Sequence, residues 1–263
     1  MEFDPEGCHA VYAIRYATNP ARPRNSAFVR DPDPTAPLGI DFSFWVAIRD
    51  GRAIVIDTGM AAEKAGRFGH RLLIDPMEAL ARLGVRPDAV DTVVMTHLHY
   101  DHAGNTRAFP HARFHLQAEE MAFATGPLME HPYLRHAYHA EEIQDFVGYL
   151  HAGRLRLHGR EATIAEGLSV HWVGGHCAGQ EVVRIRTARG WAVLASDALH
   201  YGEELARGVP YALNASTVEM LAAHARIREL ADAPDLIFPG HDPKTALDHP
   251  SVPGLEGLVF RLA

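Results

Sequence analysis

The chain has 263 residues, a formal charge of −8 and nearly half its residues apolar. That suffices for a sizeable core and argues against a nucleic-acid partner, because no basic stripe is present to neutralise phosphates. Two cysteines, Cys8 and Cys177, argue against a disulfide framework and fit the cytoplasm; no apolar run reaches the length of a membrane span, and the acidic start Met1–Glu6 lacks the apolar centre of a signal peptide.

In chain order, His9 to Tyr16 alternates as a strand does. Asn19 to Gly39 is a long loop with five prolines, and loops of that length are usually functional or disordered. Phe42 to Ile48 and Arg52 to Ile56 read as strands joined at an Asp50-Gly51 hairpin turn, the second ending in Asp57-Thr58-Gly59. Asp75 as N-cap, Pro76 in the first turn and Gly84 as stop mark a helix. Ala89 to Met95 reads as a buried strand, Ala112 to Leu116 as a short strand and Ala118 to Thr125 as a short helix. Gly126 to Tyr149 mixes aromatics and histidines, so about 118–150 reads as an irregular helical insert. The last third repeats one theme: strands over 168–173, 191–196 and 235–238, each followed by a candidate ligand, His176, Asp197 and His241. Between the last two, Ser216 and Glu219 form a capping box for a helix over 217–231 that buries Met220, Ala223, Ile227 and Leu230. No linker or low-complexity tract interrupts 1–263, which reads as a single α/β domain of two packed sheets with helices outside.

The stretch Thr96-His97-Leu98-His99-Tyr100-Asp101-His102 puts three imidazoles and a carboxylate within six residues, at the point where a strand gives way to a short helix. Such a set is a metal site in the making. His97 and His99 share a side of an extended segment, while Asp101 and His102 diverge once the chain turns helical. Neighbouring ligands cannot close a site alone. With His176, Asp197 and His241 the set reaches five imidazoles and two carboxylates, too many for one tetrahedral ion with an open position, and suited to two ions that share Asp197.

In motif and order, His97-x-His99-x-Asp101-His102, His176, Asp197 and His241 resemble the metallo-β-lactamase-fold superfamily over about residues 40–245, with Asp57-Thr58-Gly59 matching its upstream turn. The resemblance implies an αββα sandwich of two mixed β-sheets flanked by helices, with the metals at one edge. It implies a first ion on His97, His99 and His176, a second on Asp101, His102 and His241, and Asp197 bridging them with a water or hydroxide. Zinc is the expected metal, and the same donors suit iron or manganese. The expected reaction is attack by the metal-bridging hydroxide on a lactone, with Asp101 passing a proton to the leaving group.

Asp197 sets the chain apart from true β-lactamases, which usually lack that bridge. The short span from Asp197 to His241 sets it apart from the nucleic-acid-processing branch. The tails Ala103-Gly104-Asn105 and Pro239-Gly240-His241-Asp242 and the long early loop look most like the N-acyl homoserine lactonase-like group. A glyoxalase II-like thioesterase, or a hydrolase of another cyclic ester or amide, is the alternative; the presence of only two lysines, Lys64 and Lys244, weighs against a glutathione-binding patch.

That group often has a tyrosine three residues after the bridging aspartate; here His200 stands there, with Tyr201 next to it, and both are candidates for contacting the substrate carbonyl. Cys177 stands where Thr or Ser usually follows the ligand histidine and reads as a small buried hydrophobe. Asp57 is expected to brace the metal loop without binding metal. Met129, Tyr133, Leu134, His136 and Tyr138 read equally as a lid or as core, and Phe28 and Val29 as the other wall or as a contact in a homodimer.

Overall fold

The computed structural model describes residues 7–263; the acidic start Met1–Glu6 lies outside them. The first sheet contains β1 (Ala10–Asn19), β2 (Ile40–Arg49), β3 (Arg52–Ile56), β4 (Arg71–Leu72), β5 (Thr92–Val94), β6 (Arg113–Gln117) and β7 (Leu155–His158). The second contains β8 (Glu161–Ala165), β9 (Leu168–Trp172), β10 (Glu181–Thr187), β11 (Gly190–Ser196) and β12 (Ile237–Pro239). The chain then returns to the first sheet as β13 (Val259–Arg261), giving the order β13-β1-β2-β3-β5-β6-β7, with β4 beside β1; the second runs β12-β11-β10-β9-β8. Both sheets are mixed: β3, β5, β6 and β7 are parallel, as are β11 and β12, and the remaining pairs are antiparallel.

Side-chain alternation along the strands builds the layers. From β2, Trp45 and Ala47 point between the sheets and meet Val170, Val183, Ile185 and Leu194 of the second sheet. Their neighbours Phe44 and Val46 point the other way, into a core shared with Ala79 and Leu80 of the helix Pro76–Arg82 and Phe146 of the helix Ala140–His151. On the far side, Val182, Val193 and Ala195 pack on Ala223, Ile227 and Leu230 of the helix Thr217–Leu230. The result is helices, sheet, sheet, helices, as the resemblance implied. Among the described residues no helix is long and apolar enough to cross a membrane.

Several local expectations change. The proline-rich loop is built, with a 3-10 turn at Arg24–Ser26, a bridge between Pro23 and Pro37, and Phe28 buried beneath it. The strand expected over 89–95 shortens to β5 because Pro87–Ala89 forms a 3-10 turn. Asp75 caps its helix as expected, its Oδ1 accepting from the amides of Met77 (2.9 Å) and Glu78 (3.0 Å). The Ser216 hydroxyl likewise accepts from Glu219 N at 3.3 Å, but the box is not reciprocal: Glu219 Oε2 accepts from Gly175 N at 3.2 Å and so fastens the loop before His176 to the helix. The 118–150 region is helical and irregular, with helices Ala118–Ala124, Pro132–Arg135 and Ala140–His151 and a 3-10 turn at Pro127–Glu130.

Candidate metal centre

Strand ends converge on one edge of the sandwich. Asp57 follows β3, the His97 to His102 stretch follows β5, and His176, Asp197 and His241 follow β9, β11 and β12. The turns there are tight: Asp57 and Ser196 adopt left-handed backbone angles, φ 63° and 47°, where only glycine is comfortable. They are held by one polar knot. Asp57 accepts from Thr96 N and Thr96 Oγ1, both at 2.8 Å, and Thr96 Oγ1 lies 2.8 Å from Ser196 Oγ, so the ends of three strands are tied together.

All seven sequence-derived ligand candidates are buried and meet there. Donor atoms of His97, His99, His176 and Asp197 lie within 4.8 Å of one another, as do those of Asp101, His102 and His241; Asp197 also groups with His200 and His241. Asp197 is the shared member, with Oδ1 3.1 Å from both His102 Nε2 and His241 Nε2, and Oδ2 3.3 Å from His176 Nε2. A further acidic group, His139 with Glu141 and Glu142, is already neutralised by Lys64, whose Nζ lies 3.2 Å from Glu141 and bonds Glu142.

The outer face of each imidazole decides what its inner face offers. His102 Nδ1 donates to Asp57 Oδ2 (2.8 Å), His176 Nδ1 to Leu213 O (3.1 Å), His241 Nδ1 to Asp41 O (2.8 Å) and His97 Nδ1 to Thr96 Oγ1 (3.1 Å). With the proton on Nδ1, each of these four turns a bare Nε2 lone pair inward. His99 presents Nδ1 instead, 3.0 Å from His176 Nε2. Among the described residues His97 Nε2 is buried with no hydrogen-bond partner, and His102 Nε2 has only the Asp197 carboxylate beside it at 3.1 Å. Orphaned inward lone pairs beside a carboxylate are costly unless a cation sits among them, so the donor set fits divalent metal.

Protonation agrees with bare lone pairs for His97, His99 and His176. Burial holds the His97 and His99 imidazoles well below the ordinary range and pushes His176 down to about 3. Burial alone would raise the Asp197 carboxyl, but the imidazoles of His241, His200, His102 and His176 hold it well below the usual carboxylate range. His102 and His241 go the other way: the surrounding carboxylates, Asp197 foremost, outweigh burial and raise both.

The remaining candidates divide. Asp101 reaches 3.6 Å from His102 Nε2 and 3.8 Å from His241 Nε2, and its carbonyl accepts from Tyr16 Oη at 2.7 Å. His200 lies inside the cluster, its Nε2 3.0 Å from Asp197 Oδ2 and its ring stacked on Tyr211 at 3.6 Å. Tyr201 is buried in an aromatic group beside Phe28 and Tyr211, and among the described residues its hydroxyl has no hydrogen-bond partner. Tyr133, Leu134, His136 and Tyr138 line a small cavity with His99 and His176, whereas Met129 packs on the core. Phe28 is a buried wall under the loop and Val29 is exposed.

Sequence reasoning missed Glu120. It is fully buried beneath the motif and accepts from Leu98 N (3.0 Å), Gly179 N (3.2 Å) and Tyr138 Oη (2.8 Å). A Cβ on Gly179 would fall 2.2 Å from Glu120, so the close approach requires glycine there. Cys177 is buried beside Glu120 and Tyr138; burial first, then Glu120, push its thiol well up, against the hydrogen bond of Tyr138, which lowers it.

Known proteins resemble the chain in sequence and in fold. The chain is 28% identical over 252 residues to the N-acyl homoserine lactonase AiiB of Agrobacterium fabrum, covering 83% of this chain and 86% of that one. It is 25% identical over 205 residues to the N-acyl homoserine lactonase of Bacillus cereus, covering 72% and 76%. The crystal structure of a B. thuringiensis AiiA variant with N-decanoyl-L-homoserine at its active site superposes with a TM-score of 0.77 at 21% identity, covering 94% of this chain and 98% of that one. That of AidC, a dizinc quorum-quenching lactonase, superposes at 0.69 and 15% identity, covering 89% and 87%. The family model of the metallo-beta-lactamase superfamily matches residues 38–241, a span that begins just before β2 and ends on the last of the gathered histidines, and the chain belongs to that superfamily.

Proposed function

We propose that the chain is a single-domain dinuclear metal hydrolase that opens a lactone ring. The observation that supports this most is the convergence of seven buried donors into two groups, Asp197 belonging to the first and lying 3.1 Å from His102 and His241 of the second. On this reading His97, His99 and His176 hold one ion, Asp101, His102 and His241 the other, and Asp197 both. Zinc is the metal expected from the neutral imidazoles and hard carboxylates, with iron or manganese suited to the same donors. Two divalent cations, when bound, supply a nucleophile at neutral pH by lowering the pKa of water from about 15.7 toward roughly 7, and polarise the scissile carbonyl.

The protein's own groups supply the rest. Asp101, at the rim of the second group, is placed to hand a proton to the alkoxide released when the ring C–O bond breaks. His200 offers a hydrogen bond to the carbonyl oxygen as charge develops, and Tyr201, whose hydroxyl has no partner among the described residues, is the second candidate. Phe123, Tyr133, Leu134 and Tyr138 line a small cavity beside His99 and His176 and put apolar surface next to the metal centre. Both cysteines are free and buried, in keeping with a cytoplasmic enzyme, and exposed Val29 offers a contact for a homodimer.

The test is a panel of lactones, with thioesters and linear esters alongside, on zinc-loaded and chelated protein. Lactone opening that chelation abolishes and zinc restores is expected. A rate indifferent to chelation, or turnover of thioesters with no lactone opened, would overturn the reading.

A further inference from the structure

The early loop brings one cation to the metal edge. Its two arms are bonded to each other, Leu38 N to Arg22 O (2.6 Å) and Arg24 N to Ala36 O (2.9 Å). Its far side is clamped: Arg24 and Arg207 both pair with Asp31 and Glu203, and Ala212 N donates to Ala27 O at 2.8 Å. Arg22 therefore stands on a fixed support.

Its guanidinium differs from its neighbours. Arg15, Arg24 and Arg207 each have a carboxylate partner. Among the described residues no carboxylate lies within ion-pair distance of Arg22, whose side chain donates to Ser26 O at 3.3 Å, hydrogen-bonds the Tyr211 side chain and lies 5.5 Å from the centroid of that ring. Tyr211 stacks on His200, which touches Asp197. Two ring contacts, Arg22 over Tyr211 and Tyr211 on His200, therefore separate the guanidinium from the Asp197 carboxylate. None of these residues lines the apolar cavity of Phe123 and Leu134.

We propose that Arg22 is a specificity subsite for an anionic group, a carboxylate, on the substrate opened at the metal centre. This deepens the lactonase reading and rests on it. A half-buried guanidinium without an acid of its own, in a protein of net charge −8, leaves its planar donor fork for a ligand carboxylate. The substrate then has two ends, an apolar one beside His99 and His176 and an anionic one at Arg22. Hydrolysis adds one water, breaks the ring C–O bond and yields a hydroxy acid with a second carboxylate.

The probe pair is 5-oxotetrahydrofuran-2-carboxylate and the uncharged γ-valerolactone, assayed on zinc-loaded wild type, Arg22→Met and Arg22→Lys. Arg22→Met is expected to lose about 10–100-fold in kcat/KM on the carboxylated lactone, mainly through KM, and less than about threefold on γ-valerolactone. Arg22→Lys recovers part of the loss. Equal losses on both lactones, or none on the carboxylated one, overturn the subsite. If neither lactone is opened, the lactonase reading fails, and calorimetry with 2-hydroxyglutarate decides the subsite alone. Binding at least about tenfold weaker in Arg22→Met supports it, and equal binding refutes it.

Discussion

Asp57→Asn isolates the brace from the ligands. Asp57 is fully buried, and its Oδ2 is the acceptor that fixes the proton of His102 on Nδ1 (2.8 Å), while Oδ1 takes the amide of Thr96 (2.8 Å). Asparagine has the same shape. If its oxygen keeps the Thr96 amide, its NH2 faces His102 Nδ1, and two donors meet. The Thr96 hydroxyl can turn toward Ser196, but His102 relieves the clash only by moving its proton to Nε2, the atom aimed at Asp197. The second ion then loses a lone pair. Loss of such an outer partner costs about 10–100-fold in metal affinity, or about 1.4–2.7 kcal/mol. The first ion's ligands keep theirs, and its affinity should move by less than about threefold, because neither His99 nor His176 touches Asp57. Competition with a chromophoric chelator, resolving the two binding steps, reads both numbers, and circular dichroism checks the fold. Wild-type affinity for both ions in Asp57→Asn would refute the reasoning.

Two further substitutions probe the surroundings. Glu181 is fully buried, neither carboxyl oxygen is bonded among the described residues, and His158 Nδ1 is 3.6 Å away on a ring whose pKa burial lowers. Burial first, then the charges of Asp57 and Glu120, hold its carboxyl well above the ordinary value. Between the unfolded value and the raised folded one, only the unfolded chain releases this proton, so its effect is to lower stability as pH rises. Glu181→Gln should therefore match wild type near about pH 4.5 and exceed it by about 1–3 kcal/mol near about pH 8 in urea unfolding; a variant less stable at the higher pH contradicts this. His200→Ala should retain two ions while kcat falls about 100-fold, the cost of one lost oxyanion donor. Loss of an ion would instead assign His200 as a ligand, and unchanged turnover would remove it from the chemistry.

What could be read from the sequence follows from distance along the chain. The His97 to His102 cluster declares itself locally, and each remote ligand follows an apolar strand, so the site and the two-sheet fold were both legible. Elements without a local signature were not: β4 and β13 are two and three residues long and take their place by pairing with β1. Glu120 sits in Ala118-Glu119-Glu120-Met121, where it looks like any acid in a helix's first turn. Only the packing of that helix against Gly179 turns it inward. Glu219 looked like half of a capping box because Ser216 sits three residues before it, yet its carboxylate serves a loop more than forty residues away. Proline suggested a loose early loop, but ion pairs between Arg24, Arg207, Asp31 and Glu203 fasten it, and those partners lie far apart in sequence.

Metal content by inductively coupled plasma mass spectrometry, paired with a lactone assay on the same samples, tests the shared-carboxylate centre most directly. Wild type should hold two ions per chain and open a lactone; Asp197→Ala, still folded, should hold one or none and lose turnover. An Asp197→Ala protein with both ions and full activity would contradict the account.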